Sequence, residues 1–308
     1  MSLLSIRNVT KKYASHTALK SISFEIPQSS VFGLLGPNGA GKTSLIRIIN
    51  QITGPDEGEI YFNGIRLNAG HISQMGYLPE ERGLYRKMEV GEQAIYLARL
   101  KGLSRAEAIS RLKMWFEKFE IAAWWRKKVD ELSKGMQQKV QFIITILHQP
   151  KLLILDEPFT GFDPINANII KEELLKIKEG GATIMLSTHR MESVEELCSH
   201  IGLIDKAKKI LDGSVKEIRK QFRSNIFEVR YHGHAINLAN GLWGPYELVD
   251  HKIEEDHQYA KIRIEENIPP NQLIRSLVSE VEIVSFNELA PSMNDVFIKA
   301  VNEHKATG

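Results

Sequence analysis

Four short apolar runs along the chain end abruptly in Gly, Pro or polar residues. Each has the length of a strand and lacks the alternation of a half-exposed strand, as is typical of strands buried on both faces of a parallel sheet. The four runs are VFGLLG (31–36), GYLPE (76–80), KLLILDEP (151–158) and TIMLSTH (183–189). They predict the strands of an α/β core.

Helical patterns lie between these runs. One helix is predicted after GKTS, where apolar residues recur at i, i+3, i+4 and i+7: Leu45, Ile48, Ile49 and Ile52. A second is predicted to begin after Asp163-Pro164 and to end at Gly180-Gly181. Alternating strands and helices predict a doubly wound α/β fold. From residue 90 to about 128 the pattern is helical only, and Ser104 and Glu107 form a capping box, so we predict a helical insert.

The charge balance changes near residue 223. Residues 223–308 contain eight Lys and Arg against thirteen Asp and Glu, a formal charge of −5, whereas residues 1–222 carry +7. Three segments there alternate like half-exposed strands (IFEVRY, YAKIRIEE, VEIVSF) and two have a helical pattern (PNQLIRSLVSE, SMNDVFIKAVNE). We predict a main domain of residues 1–222 and a small α+β domain of residues 223–308, which could regulate, dimerise or brace the main domain.

The composition of the chain narrows the possible partners and the expected location of the protein. A net charge of +2 over 308 residues supplies no field for non-specific nucleic-acid binding, so no nucleic acid partner is expected. Cys198 is the single cysteine, and the N-terminus lacks the pattern of a signal peptide. The apolar runs are far shorter than the roughly 18 residues of a spanning helix. We expect a cytoplasmic protein that reaches a membrane only by docking.

A phosphate-binding motif follows the first predicted strand. Residues 36–43, GPNGAGKT, match the Walker A pattern G-x-x-x-x-G-K-[ST] between a strand and a helix. Glycines let the backbone curl with its N–H groups inward, and the helix adds its positive end. Lys42 would neutralise the β- and γ-phosphates, Thr43 would bind Mg²⁺, and Ser44 would reach an inner phosphate. The nucleotide-binding residues predicted here are Gly36, Pro37, Asn38, Gly39, Ala40, Gly41, Lys42, Thr43 and Ser44.

Two carboxylates end the third apolar run. Mg²⁺ prefers few carboxylates together with water and phosphate oxygens, so Asp156 fits as a metal partner. Glu157, one residue farther out, fits as the base that accepts a proton from the attacking water. An isolated pair of this kind is usually just solvated, but the Walker A motif favours the functional interpretation.

Three further residues have ordinary structural explanations as well as functional ones. His189 could be a core histidine or a helix cap, although its place beyond a strand's carboxyl end favours a γ-phosphate contact. Tyr13 could pack or could stack on adenine. Asp163 suits an ordinary N-cap before Pro164.

The order of these motifs resembles that of ABC ATPases over about residues 3–222. Tyr13, GPNGAGKT, GYLPE, ELSKGM, LLILDEP, GFDP and STH stand where that family has its A-loop, Walker A, Q-loop, signature, Walker B, D-loop and H-loop. The resemblance implies a P-loop NTPase (RecA-like) core with an N-terminal antiparallel β subdomain and a helical insert at about residues 84–148. It also implies that Tyr13 stacks on adenine, that Glu157 is the general base and that His189 touches the γ-phosphate.

ABC ATPases act as head-to-tail pairs, with each ATP between the Walker A of one subunit and the signature of the other. The resemblance therefore implies that Ser133, Lys134 and Gly135 contact ATP held by Lys42 of a second subunit, and that Asp163 links the two sites. Ser133 would also be a routine N-cap for the helix that follows. Lys134 opposes the dipole of that helix but suits a triphosphate, so we predict that it strengthens binding in trans.

Two positions depart from the family pattern. Glu80 stands where most members have Gln, so it could act as a metal ligand or be a solvated loop residue. The signature is LSKGM rather than LSGGQ. With GYLPEERGLY and the C-terminal PSMNDVFIKAV, this resembles the NatA-type subgroup, whose members serve ABC-2-type exporters.

The sequence thus predicts a motor subunit that binds ATP and Mg²⁺, forms a homodimer or a paired cassette, and drives a separate transmembrane permease from the inner face of the membrane. The helical insert would meet that permease. A soluble ABC-type switch acting on a non-transport partner and a non-hydrolysing regulator remain as alternatives. The sequence does not identify the transported substrate.

Overall fold

A computed structural model describes residues 1–14, 16–81, 83–254, 256–265 and 267–307. The chain divides into two compact units, one of residues Met1–Val215 with Ala300–Gly308 and one of residues Lys216–Lys299. The compositional change near residue 223 therefore lies inside the second unit. Within the described residues, no helix is both long enough and apolar enough to cross a bilayer.

The core of the first unit is a six-stranded sheet. In spatial order the strands are β10 (Lys208–Ser214), β9 (His200–Asp205), β3 (Val31–Leu35), β8 (Thr183–Ser187), β7 (Leu152–Asp156) and β6 (Met75–Leu78). All neighbours are parallel except β9 and β10. The four apolar runs form β3, β6, β7 and β8, which confirms the predicted parallel core; β9 and β10 were not predicted.

Three helices belong to this core: α1 (Lys42–Ile49), α5 (Pro164–Glu179) and α6 (Met191–Leu197). The prediction that Ile52 continues the buried stripe of α1 is wrong, since Ile52 is 62% exposed. Gln51 adopts a left-handed φ of 57°, and the Ile52 N–H donates to the Arg47 carbonyl at 2.9 Å. This Schellman-type ending stops the helix one turn before the apolar pattern does.

An antiparallel sheet and a helical insert complete the first unit. The sheet has the order β2 (His16–Pro27), β1 (Ser2–Tyr13), β4 (Glu57–Phe62), β5 (Ile65–Arg66), and it is the predicted N-terminal β subdomain. The insert contains α2 (Val90–Leu100), α3 (Arg105–Lys118) and α4 (Lys134–Ile146). Ser104 and Glu107 form both bonds of the predicted capping box.

The second unit contains a four-stranded antiparallel sheet with the order β12 (Tyr246–Ile253), β13 (Gln258–Ile264), β11 (Ile226–His232), β14 (Glu282–Glu288). With α8 (Ala235–Gly241) and α9 (Pro270–Val278) this is the βαββαβ order of ferredoxin-like domains. The α+β class is confirmed, although β12 and α8 were not predicted. Two further helices, α7 (Val215–Gln221) and α10 (Met293–Thr307), include residues of both units.

Candidate nucleotide-binding site

The loop between β3 and α1 needs glycine at two points. Gly36 has φ 152°, and a Cβ there would lie 2.3 Å from the Ile204 carbonyl oxygen. Gly41 has φ 117°, and a Cβ there would lie 2.3 Å from the Ala18 carbonyl oxygen. Backbone packed this closely leaves no room for side chains, so the loop curls around the start of α1. A loop of this kind before a helix binds phosphate through backbone N–H groups.

Lys42 lies over this loop. Its Nζ donates to the carbonyls of Gly36 at 2.6 Å and Pro37 at 3.0 Å. Burial lowers the pKa of the ammonium, while the charges of Glu157, Asp156 and Glu80 act in the opposite direction. A half-buried cation held over this loop can serve as the counter-charge of a bound anion.

Asp156, the last residue of β7, and Glu157, which follows it, lie close enough to Lys42 for their charges to act on its pKa. Asp156 is only 4% exposed, and burial raises the pKa of its carboxyl; Glu80 and Glu157 add to the rise, and the Ser187 hydroxyl and Lys42 oppose it. No group of three His, Cys, Asp or Glu residues able to hold a metal exists among the described residues. The donors fit a hard ion such as Mg²⁺ only if Asp156 and the Thr43 hydroxyl are completed by phosphate oxygens and water, as Mg²⁺ prefers.

Glu157 is bonded to the loop that follows β8. Its Oε1 accepts the His189 backbone N–H at 3.0 Å and lies 2.7 Å from His189 Nδ1, which must donate because a carboxylate only accepts. Its Oε2 accepts a long bond, 3.4 Å, from Thr188 Oγ1. Glu157 has a left-handed φ of 49°, and its N–H donates to the Ser187 carbonyl at 2.9 Å. The backbone thereby turns this side chain toward His189.

A cleft of about 520 Å³ brings these groups together. Most sequence-predicted residues line it: Tyr13, Asn38, Gly39, Gly41, Lys42, Thr43, Ser44, Glu80, Asp156, Glu157 and His189. Gly36, Pro37 and Ala40 belong to the same loop but do not line the cleft. His16 and Thr160 line it too and were not predicted. His16 pairs with Tyr13 across the β1–β2 hairpin, so recognition of that hairpin would have brought it to the site.

Four further predicted residues do not line the cleft, although all four are described: Ser133, Lys134, Gly135 and Asp163. Ser133 caps α4 by accepting the Met136 N–H at 3.3 Å, and Lys134 is exposed beside it. Asp163 caps α5 by accepting the Asn166 N–H at 2.9 Å. A Cβ on Gly135 would lie 3.4 Å from the Gly161 carbonyl, so these two helix starts are neighbours.

Comparison with known proteins identifies the family. The ABC transporter family matches residues 19–160, and the C-terminal domain of DrrA1-3-like ATP-binding proteins matches residues 213–301. The Bacillus subtilis ABC transporter ATP-binding protein YhaQ is 40% identical over 299 residues, which is 97% of this chain and 98% of YhaQ. The chain belongs to the ABC transporter ATP-binding proteins.

Two further ABC proteins are similar to this chain, one compared by sequence and one by structure. The Nod factor export ATP-binding protein I of Cupriavidus metallidurans is 34% identical over 220 residues, or 70% of this chain and 73% of that protein. A solved ATP-binding subunit of an ABC transporter matches with a TM-score of 0.68 and 32% identity, over 72% of this chain and 93% of the other. These matches confirm the P-loop cassette fold and the resemblance to ABC ATPases.

Proposed function

We propose that this ABC protein is the ATP-hydrolysing motor subunit of an exporter. The observation that carries the proposal is that one cleft contains Lys42, which is bonded to its loop, and Glu157, which is bonded to His189. Phosphoryl transfer needs positioning and charge neutralisation more than covalent chemistry, and this cleft supplies both.

Each group has a defined part in the proposed reaction. The loop and Lys42 bind the phosphates, while Tyr13 stacks on adenine. Thr43 and Asp156 would hold Mg²⁺, with Glu80 as a further candidate ligand, and the bound ion would supply neutralisation of phosphate charge. Glu157 takes the proton of the attacking water on Oε2, because Oε1 is occupied by His189. His189 fixes that carboxylate and contacts the γ-phosphate.

The export role is supported by similarity. One relative is an export ATP-binding protein by name, and residues 213–301 match the DrrA1-3-like C-terminal domain. By analogy we assign this chain a transmembrane permease, of the ABC-2 type, as a partner at the inner face of the cell membrane. A homodimer or paired cassette completes the motor. In the proposed motor, the helical insert contacts the permease.

Steady-state phosphate release tests the proposal. We expect the full chain to release phosphate from Mg-ATP, and the rate to change when it is co-expressed and purified with the membrane protein of the adjacent reading frame. Lys42→Ala is the control, since it removes the counter-charge of the phosphate loop. Absence of hydrolysis in both preparations would refute the motor, and hydrolysis that ignores the membrane protein would favour a soluble switch.

The second half of each ATP site comes, in this proposal, from the other subunit. Ser133, Lys134 and Gly135 open α4 at its positive end, and Asp163 opens α5 close by. None of the four reaches the cleft of its own chain. A head-to-tail pair would place them against the γ-phosphate of the neighbouring subunit.

Lys134→Gly is expected to weaken ATP-driven dimerisation at low salt at least about tenfold, because a charge-assisted contact to phosphate is lost. Light scattering in the Glu157→Gln background, where ATP is retained, measures the dimer. Lys127→Gly, an exposed lysine of the same insert, is the matched control. The difference should shrink in high salt. Equal dimerisation of both variants at low salt would remove Lys134 from the site.

A further inference from the structure

A buried carboxylate lies at the end of β9, where that strand approaches the phosphate loop. Asp205 is 3% exposed, and its Oδ2 lies 2.8 Å from His304 Nδ1. Because a carboxylate only accepts, Nδ1 is the donor. A buried carboxylate requires such a partner. His304 itself is largely covered, with 17% of its side chain exposed. The final turns of α10 therefore close over the end of β9.

Asp205 opens a two-residue hairpin whose sequence does not suit its conformation. Asp205 pairs with Lys208 across the turn, and the two central residues, Lys206 and Ala207, have φ of 45° and 66°. Positive φ at both central positions is the type I′ pattern, which strongly prefers Asn-Gly. Lys and Ala adopt it only where the surroundings hold them there. The hairpin is thus held in place by its neighbours rather than by its own sequence.

This hairpin and Ile204, the strand residue just before it, support the phosphate loop at two points. The Ile204 carbonyl faces Gly36 so closely that a Cβ would lie 2.3 Å from it. The Ala207 N–H donates to the Ala40 carbonyl at 3.2 Å, while the Ala207 carbonyl accepts the Lys20 N–H at 2.8 Å. Any shift of the hairpin would therefore move the backbone groups that contact the phosphate loop.

We propose that His304 is a positioning residue for ATP binding. Through Asp205 it holds the hairpin of residues 205–208 in the conformation that shapes the phosphate loop. The inference rests on the proposed nucleotide site, and every contact in it lies within the first unit. The end of the C-terminal helix is on this account a structural part of the ATP site, although His304 does not touch the nucleotide.

Titration of the full chain with mant-ATP tests the inference. We expect His304→Ala to raise the Kd about tenfold, because the buried carboxylate loses a charge-assisted bond and the hairpin loosens. His304→Gln, which keeps an N–H donor, should bind more tightly than His304→Ala. Lys305→Ala, an exposed neighbour in α10, is the control and should leave the Kd unchanged.

A rescue variant separates positioning from general stability. Lys206→Asn with Ala207→Gly gives the hairpin the sequence that favours its own conformation. In that background His304→Ala should no longer raise the Kd, even if the thermal midpoint stays lowered. An unchanged Kd in His304→Ala, or a raised Kd that the new hairpin does not restore, would overturn the inference.

The same titration distinguishes this inference from the proposed function. Failure of the unaltered chain to bind mant-ATP would refute the nucleotide site itself. Binding that is lost in Lys42→Ala but unchanged in His304→Ala would keep the site and refute only the role of His304.

Discussion

Glu157→Gln is expected to bind ATP about as tightly as the unaltered chain and to hydrolyse it at least about 10²-fold more slowly, the usual range for loss of a general base. The amide keeps an oxygen that can accept from the His189 N–H groups, so the loop after β8 keeps its bonds. It has no lone pair basic enough to take the proton of water. Single-turnover phosphate release and mant-ATP titration measure the two effects separately.

The matched control is Glu192→Gln, an exposed carboxylate at the start of α6 that lies three residues beyond His189. It should leave both binding and turnover unchanged. If Glu157→Gln hydrolysed ATP at the rate of the unaltered chain, Glu157 would not be the base. The base would then have to be another carboxylate of the cleft, either Asp156 or Glu80.

Gly36→Ala is expected to abolish measurable ATP binding, with a Kd raised by more than about a hundredfold. The added Cβ would lie 2.3 Å from the Ile204 carbonyl, a backbone atom that cannot turn aside, so the phosphate loop itself must shift. The φ of 152° adds a conformational penalty, since side-chain-bearing residues rarely adopt it. Mant-ATP titration measures the loss, and circular dichroism checks that the chain remains folded.

Gly39→Ala isolates the conformational part of that effect. Gly39 is in the same loop and also has a positive φ, 77°, but a Cβ there would meet nothing within 4 Å. Its penalty is only that of a left-handed alanine, about 1 kcal/mol, or roughly a fivefold change in Kd if it falls on the bound loop. Equal losses in the two variants would mean that the contact with β9 does not shape the loop.

Local patterns were sufficient to predict four of the six strands in the core sheet of the first unit. A strand buried on both faces needs a continuous apolar run, and a phosphate loop needs glycine at fixed spacing. Residues close together in the chain were therefore enough to predict β3, β6, β7 and β8 and the motif at residues 36–43. Two elements of the second unit have mixed patterns and were not predicted. Strand β12 exposes most of its residues and α8 spans only Ala235–Gly241, so neither produces a clear period.

The residues predicted to contact the ATP of a second subunit have a local role in the structure, and their contact with ATP stays a prediction. Ser133 and Asp163 are N-caps in the structure, as their sequence context indicated. Their absence from the cleft of their own chain agrees with a role toward a second subunit, but that role stays a prediction until dimerisation is measured. Glu80 lines the cleft, and its role as a metal ligand stays a prediction as well.

By itself the sequence determined the class of fold, the phosphate loop and the carboxylates that end β7, because each depends on residues close together in the chain. Tertiary structure decided which groups meet. The bond from His189 to Glu157 spans 32 positions, and the pairing of His304 with Asp205 spans 99. Such contacts depend on strand order and on how a helix end packs, and neither leaves a periodic signal along the chain.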